Sequence, residues 1–269
     1  ELIDISKLLY KVQKAVASLP YLDRESDEIT NKNMRLGLGI TGVTQGLDKL
    51  DWLSPAYEAL YDFDTFWSSY KEWPTSVRLT TVKPSGTLSK IMDASEGCHK
   101  PLGKYILNNI NFQASDPLVE KLRAANYRVF QNPYDKTGVI ASFPIKWDDI
   151  EFEEVDGKLV NLESAVTQLD RYKFLMDNWT DHNTSITVSY SPDEIPSIID
   201  WILKDANWNS YVGVSFLLRA DPTKTAKDLG YPYLPQQVIT QEEYDCYNSK
   251  LKTFDLDEDG LMVDDIDAD

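Results

Sequence analysis

Short β-branched runs alternate with segments of helical length along most of this chain, which leaves few architectures open. Val77-Arg78-Leu79-Thr80-Thr81-Val82 reads as a strand, and so do Tyr105 to Phe112, Thr184 to Tyr190 and the apolar Tyr211 to Leu218. Ile5, Leu8, Leu9, Val12 and Val16 recur at helical spacing. Ser54-Pro55 predicts an N-cap with proline at the first helical position, opening a helix to about Tyr70. Asp116-Pro117 predicts a helix through Ala125, Leu162 to Trp179 a long one, and Ser191-Pro192 another to about Leu203. Tyr127 to Phe130 and Val139 to Ile145 read as a hairpin across the turn-rich Asn132 to Gly138. Strands alternating with helices of this length predict parallel strands and an α/β fold. After Asp221 the pattern decays through Pro222, Pro232 and Pro235, and no internal repeat is visible. The expected organisation is one body over 1–240 and an acidic tail over 241–269.

Charge narrows the function classes. Among 269 residues, 27 Lys and Arg stand against 44 Asp and Glu, a net charge of −17, so nucleic acid and anionic membranes are not expected partners. Eight acids and no base lie between Phe254 and Asp269, so an anionic ligand elsewhere needs a local site that works against the global field. Two cysteines, Cys98 and Cys246, make no disulfide framework and fit a reducing compartment. No apolar run approaches the roughly 20 residues that span a bilayer. The sequons at Asn178 and Asn183 follow no signal peptide and read as accidents of composition, so a cytoplasmic location is expected. Glu1 rather than Met opens the chain, which fits a start other than a natural translation start.

Several motifs dissolve on inspection. Gly37-Leu38-Gly39-Ile40-Thr41-Gly42 spells the dinucleotide fingerprint, but the polar Thr30 to Arg35 stands where a buried strand must precede it. Those glycines read instead as sites of close packing. Asp255, Asp257, Asp259 and Gly260 begin like a calcium loop, yet Ile266 stands where a bidentate Glu is required, which leaves a solvated acidic tail. Cys98 and His99 are sequence neighbours and do not make a nucleophile–base pair, and His182 completes no zinc set. No catalytic residue and no metal ligand is assigned.

Val82-Lys83-Pro84-Ser85-Gly86-Thr87-Leu88-Ser89 is the informative stretch. A strand runs into a Ser/Gly/Thr loop and then into Leu88 to Met92, which can start a helix. The N–H groups of Gly86, Thr87 and Leu88, with the hydroxyls of Ser85, Thr87 and Ser89, form a competent phosphate cradle. A plain strand-to-helix turn with a hydroxyl cap accounts for the same letters.

Thr80 to Thr87, followed by Asp93-Ala94-Ser95-Glu96-Gly97-Cys98-His99, resembles the adenosylcobalamin-dependent ribonucleoside-triphosphate reductases, and more narrowly the monomeric class II enzymes. Arg35 to Gly42, Phe112 to Leu118 and Phe143 to Lys146 add to the resemblance, which runs from about Asn31 to Gln241. It implies the C-terminal part of a ten-stranded α/β barrel built from two parallel five-stranded halves. It also implies that Ser85, Gly86, Thr87, Leu88 and Ser89 bind the substrate's phosphates. The family holds Met or another apolar residue where Cys98 stands, so no catalytic role is implied for it. Reduction at the ribose 2′ carbon in that family uses a thiyl and a dithiol, with an Asn and a Glu beside the thiyl and a C-terminal cysteine pair. Two cysteines cannot fill those roles, and the Asn-x-Cys-x-Glu pattern is absent. The resemblance therefore implies a C-terminal fragment or split subunit, inactive alone. Its implied partners are a ribonucleotide substrate, an N-terminal portion carrying the catalytic cysteines, adenosylcobalamin and a thioredoxin-like reductant. A non-catalytic nucleotide-binding or regulatory protein derived from a reductase is the alternative.

Overall fold

The computed structural model describes residues 1–86, 88–204 and 212–254. They fall into two compact units: Glu1–Pro101 with Glu163–Arg219, and Leu102–Leu162 with Ala220–Asp269. Elements are numbered in chain order.

In the first unit, β1 (Arg35–Ile40) pairs in parallel with β2 (Arg78–Val82), Leu38 opposite Thr80 and Ile40 opposite Val82. Helix α3 (Leu53–Lys71) lies in the crossover between them. A parallel bridge from Val82 to Thr184 leads on to β8 (Thr187–Tyr190), which pairs in parallel with β9 (Ser215–Leu218). Helices α6 (Ala165–Asn178) and α7 (Ile195–Leu203) precede β8 and β9. These are the βαβ units that the alternation predicts. The Gly37–Gly42 motif is largely strand β1 itself, which propensity hides because glycine is depleted in strands. Gly37 and Gly39 lie against Thr81: a Cβ on Gly37 would sit 3.4 Å from Thr81 Cγ2. Such a distance, and the 3.9 Å at Gly39, is ordinary van der Waals contact, so packing does not require glycine at either position. Leu36, Leu38, Val82 and Val188 pack in one cluster with Leu60, Leu169, Leu175 and Trp201 of the helices.

Side-chain caps open α2 (Arg24–Asn33), α5 (Pro117–Ala124) and α6, whereas α1 (Leu2–Ala17), α3 and α7 begin without one. Ser164 caps α6 by accepting from Thr167 N–H at 3.1 Å. Ser54 is not a cap, because α3 begins at Leu53 as the continuation of a 3-10 turn over Leu47–Trp52. An unpredicted helix, α2 (Arg24–Asn33), is capped by Asp23, which accepts from Ser26 N–H at 2.8 Å.

Helix α1 (Leu2–Ala17) forms where periodicity places it but turns the other way. Its buried residues are Ser6, Tyr10 and Lys14, whereas Ile5, Leu8, Leu9, Val12 and Val16 are all exposed, Leu8 at 62%. A polar network holds the buried side. Asp64 of α3 accepts from Tyr10 OH at 2.5 Å and Lys14 Nζ at 2.6 Å through Oδ1, and from Ser76 N–H at 2.9 Å through Oδ2. Lys14 Nζ also donates to Ser68 Oγ at 2.6 Å and Ser76 Oγ at 3.0 Å. Burial pushes the Asp64 carboxyl up, but the bonds from Lys14, Tyr10 and Ser76 outweigh it and hold the group below the usual carboxylate range.

The second unit extends the expected hairpin into an antiparallel sheet, where the alternation of strands and helices predicts parallel pairing elsewhere. Its sheet is antiparallel, in the order β10 (Gln236–Val238), β3 (Tyr105–Gln113), β5 (Gly138–Lys146), β4 (Val129–Gln131). The β4–β5 hairpin and β3 stand where the sequence places them, and α5 (Pro117–Ala124) is capped by Asp116 as expected. A small hairpin, β6 (Glu153–Val155) with β7 (Lys158–Val160), was not legible, and neither was β10. The expected tail from 241 opens instead with helix α8 (Gln241–Asn248), capped by Thr240, with Tyr244 and Tyr247 packed against Tyr105, Leu107 and Ile239. The expected strand over 211–218 is β9 alone; Tyr211 and the tail residues 255–269, with their calcium-like letters, lie outside the described residues. Among the described residues no helix is long and apolar enough to cross a membrane.

Candidate functional site

In a parallel sheet, strand carbonyl ends and the following loops converge on one edge, where ligands of α/β folds bind. In the first unit the loops after β1 and β2 meet there. The second runs Lys83-Pro84-Ser85-Gly86 and re-enters helix at α4 (Leu88–Ile91). Ser85 sits in the left-handed region at φ 56° and donates its hydroxyl to the Lys83 carbonyl at 3.2 Å. Gly86 is exposed, and apart from its chain neighbours no described residue has an atom within 4 Å of where a Cβ would stand. Leu88 is exposed, and Thr87 lies outside the described residues. Ser89 is fully buried, and its Oγ has no hydrogen-bond partner among the described residues. Buried hydroxyls are seldom left so. Its amide donates back to the Ser85 carbonyl at 2.8 Å, so its offer to a ligand is the hydroxyl. Lys83, exposed at the root of the loop, and Lys90, paired with Glu96 at 2.7 Å, flank it in sequence.

The segment 93–99 lies beneath this loop, a role that the sequence reading did not give it. Gly97, at φ +54°, approaches the loop root so closely that a Cβ would lie 2.6 Å from the Lys83 carbonyl oxygen. Ala94 N–H donates to the Ser89 carbonyl at 2.8 Å. From the loop after β1, Gly42 N–H reaches Ser95 O at 2.9 Å and Val43 N–H reaches Gly97 O at 3.1 Å. Arg171 of α6 donates to the Cys98 carbonyl at 2.8 Å and pairs with Glu163. The signal available in the sequence was Gly97 itself, since a glycine inside a polar turn marks a position where a Cβ cannot go.

The remaining candidates form no reactive set among the described residues. Burial pushes the Cys98 thiol up to about 11 despite the opposing pull of Arg171, so it is a poor nucleophile. Cys246 is exposed on α8 in the second unit, its Sγ 3.2 Å from Lys250 Nζ. His182 turns Nε2 to the Leu36 carbonyl at 2.6 Å. Among the described residues no cluster of three His, Cys, Asp or Glu could hold a metal ion.

His99 is structural. Nε2 accepts from Thr187 N–H at 3.0 Å, which places the proton on Nδ1, 3.2 Å from the Glu96 carbonyl. Burial lowers its pKa, and Glu96 offsets only part of that. The unfolded chain takes up this proton near pH 6.5, and the folded chain only at lower pH. The stability from His99 is therefore complete above about pH 6.5 and declines from there down to the depressed folded value. Thermal melts at about pH 7.5 and about pH 5.5 should show a steeper acid loss in the parent than in His99→Gln. Equal slopes would remove this role.

The fold matches that of a solved class II ribonucleotide reductase. The crystal structure of a B12-dependent (class II) ribonucleotide reductase superposes with a TM-score of 0.78 at 23% identity, covering 94% of this chain and 38% of that one. The half-barrel expected from the resemblance agrees with that match, the parallel sheet of the first unit being the part of it described. The sequence relatives are more specific. The adenosylcobalamin-dependent ribonucleoside-triphosphate reductase of Euglena gracilis is 30% identical over 256 residues, 92% of this chain and 33% of the relative. The enzyme of the same name from Lactobacillus leichmannii is 26% identical, over 95% of this chain and 39% of its own length. The chain is a homologue of these reductases and spans about a third of their length. No family model matches it.

Proposed function

We propose that this chain is the substrate-phosphate portion of an adenosylcobalamin-dependent ribonucleoside-triphosphate reductase, acting with the part of the enzyme that its relatives contain and it does not. The observation that carries the reading is the buried, unpartnered Ser89 hydroxyl beside the exposed Gly86, in a loop at the carboxyl end of β2. Ser85, Gly86, Thr87, Leu88 and Ser89 together take the phosphates. Backbone N–H groups suit this task because they carry no entropy of side-chain ordering and impose no charge of their own. They also act locally, as a chain of net charge −17 requires.

The chemistry on the ribose lies outside this chain. Replacing the 2′ hydroxyl by hydrogen takes two electrons, which a dithiol supplies by closing to a disulfide, and a further thiol must carry the radical that removes the 3′ hydrogen. That set takes three thiols and this chain has two cysteines, Cys98 buried and Cys246 exposed on α8, so it does not supply the set. The rest of the enzyme therefore carries the thiols, adenosylcobalamin is the cofactor of the complete enzyme, a thioredoxin-like dithiol restores the thiols, and the assembly works in the cytoplasm.

Gly86→Val tests the loop. Apart from its chain neighbours no described residue lies within 4 Å of the added Cβ, so the fold should be kept, while the branched side chain fills the space a phosphate oxygen needs. In the reductase containing this chain, ribonucleoside-triphosphate affinity should fall by about tenfold or more, or roughly 1.4 kcal/mol, with an unchanged melting temperature. Unchanged affinity would sink the assignment.

A further inference from the structure

We propose that Thr41 is a positioning residue that sets the spacing of the phosphate loop, through the turn beneath it; this rests on the loop's taking phosphate. Thr41 directly follows β1, and its hydroxyl works in both directions. It accepts from Gly97 N–H at 2.9 Å and donates to the Ser95 carbonyl at 2.9 Å. Gln45 Oε1 accepts from Ser95 N–H at 2.8 Å. The loop after β1 thus holds the Ser95–Gly97 turn by side chains as well as by the backbone bonds already described.

That turn touches the phosphate loop at both of its ends. At the root, Gly97 leaves no room for a Cβ beneath the Lys83 carbonyl, with 2.6 Å to the oxygen and 3.3 Å to Pro84 Cα. At the far end, Ala94 N–H holds the Ser89 carbonyl at 2.8 Å. Raising or tilting the turn therefore changes the distance between the residues that would converge on a phosphate. A cradle of N–H and O–H groups binds tightly only when its donors are already in place, since ordering them on binding costs affinity. None of these three residues needs to touch the ligand.

Thr41→Val keeps the shape and removes both bonds, while Thr41→Ser keeps the hydroxyl. The probe is inorganic tripolyphosphate, with unphosphorylated nucleoside as a second ligand, titrated calorimetrically into the reductase that contains this chain. Losing one doubly engaged hydroxyl in a nearly buried turn should weaken tripolyphosphate about tenfold in Thr41→Val. Thr41→Ser should recover parental affinity within about twofold, and nucleoside affinity should not move. Gly86→Val, run alongside, separates the two claims. If Gly86→Val loses tripolyphosphate and Thr41→Val does not, the loop stands and the positioning role is overturned. If neither loses it, the phosphate reading fails and takes this role with it. Should Thr41→Val fail to fold, Gln45→Met decides: it removes the acceptor for Ser95 N–H, and parental tripolyphosphate affinity in it would equally overturn the proposal.

Discussion

Asp64→Leu should destabilise the first unit by about 3–5 kcal/mol, because it strands the Lys14 ammonium in the interior. Lys14 has no exposed surface, and among the described residues Asp64 is the one counter-charge paired with it, within the network that holds α1 to α3. A loss of that size is a large fraction of a domain's usual 5–15 kcal/mol, so the variant should be mostly unfolded near physiological temperature. The pair itself need not be strongly stabilising. Two desolvated charges recover little more than their desolvation cost, and the double variant Lys14→Met/Asp64→Leu should regain much of the loss. Chemical denaturation of the three chains checks this, and a single variant within about 1 kcal/mol of the parent would refute it. Acid should act in the same direction as the single substitution. The Asp64 carboxyl is held low, so its contribution is complete above about pH 4 and is lost as the pH falls through the folded value.

The second large effect is dependence on the rest of the enzyme. Alone, the chain should give no ribonucleotide reduction. Joined to the portion carrying the thiols, covalently or as a separate chain, and supplied with adenosylcobalamin and a dithiol, it should turn over. The physical motive is exposed apolar surface. On α1 the stripe Ile5, Leu8, Leu9, Val12 and Val16 faces outward, and on β9 Phe216, Leu217 and Leu218 are exposed at the end of the described sheet. Contiguous apolar surface and an open strand edge both favour association. The isolated chain should therefore self-associate on sizing columns and become monodisperse in the complex. A monodisperse isolated monomer with a cooperative unfolding transition would argue for the alternative, a self-contained nucleotide-binding protein.

The αβ alternation of the first unit, α1, α5, α6 and the β4–β5 hairpin were legible along the chain because each is a local matter of periodicity, caps and turn residues. So was the loop over 85–89, whose strand–loop–helix context spans only a few residues, and so was its likeness to a reductase, carried by the same letters. Strand β1 was missed because its glycines suppress the strand signal, and β10 because three residues among prolines acquire strand geometry only by pairing with β3. Tertiary structure alone decided which face of α1 is buried. A hydrophobic pattern records where apolar residues recur, and here the network around Asp64 holds the polar side inward. It alone also decided that Ser95–Gly97 lies under the loop that follows β2. The contacts of that turn with Thr41, Gly42 and Gln45 join residues some 50 positions apart, and only folding brings such residues within hydrogen-bonding range.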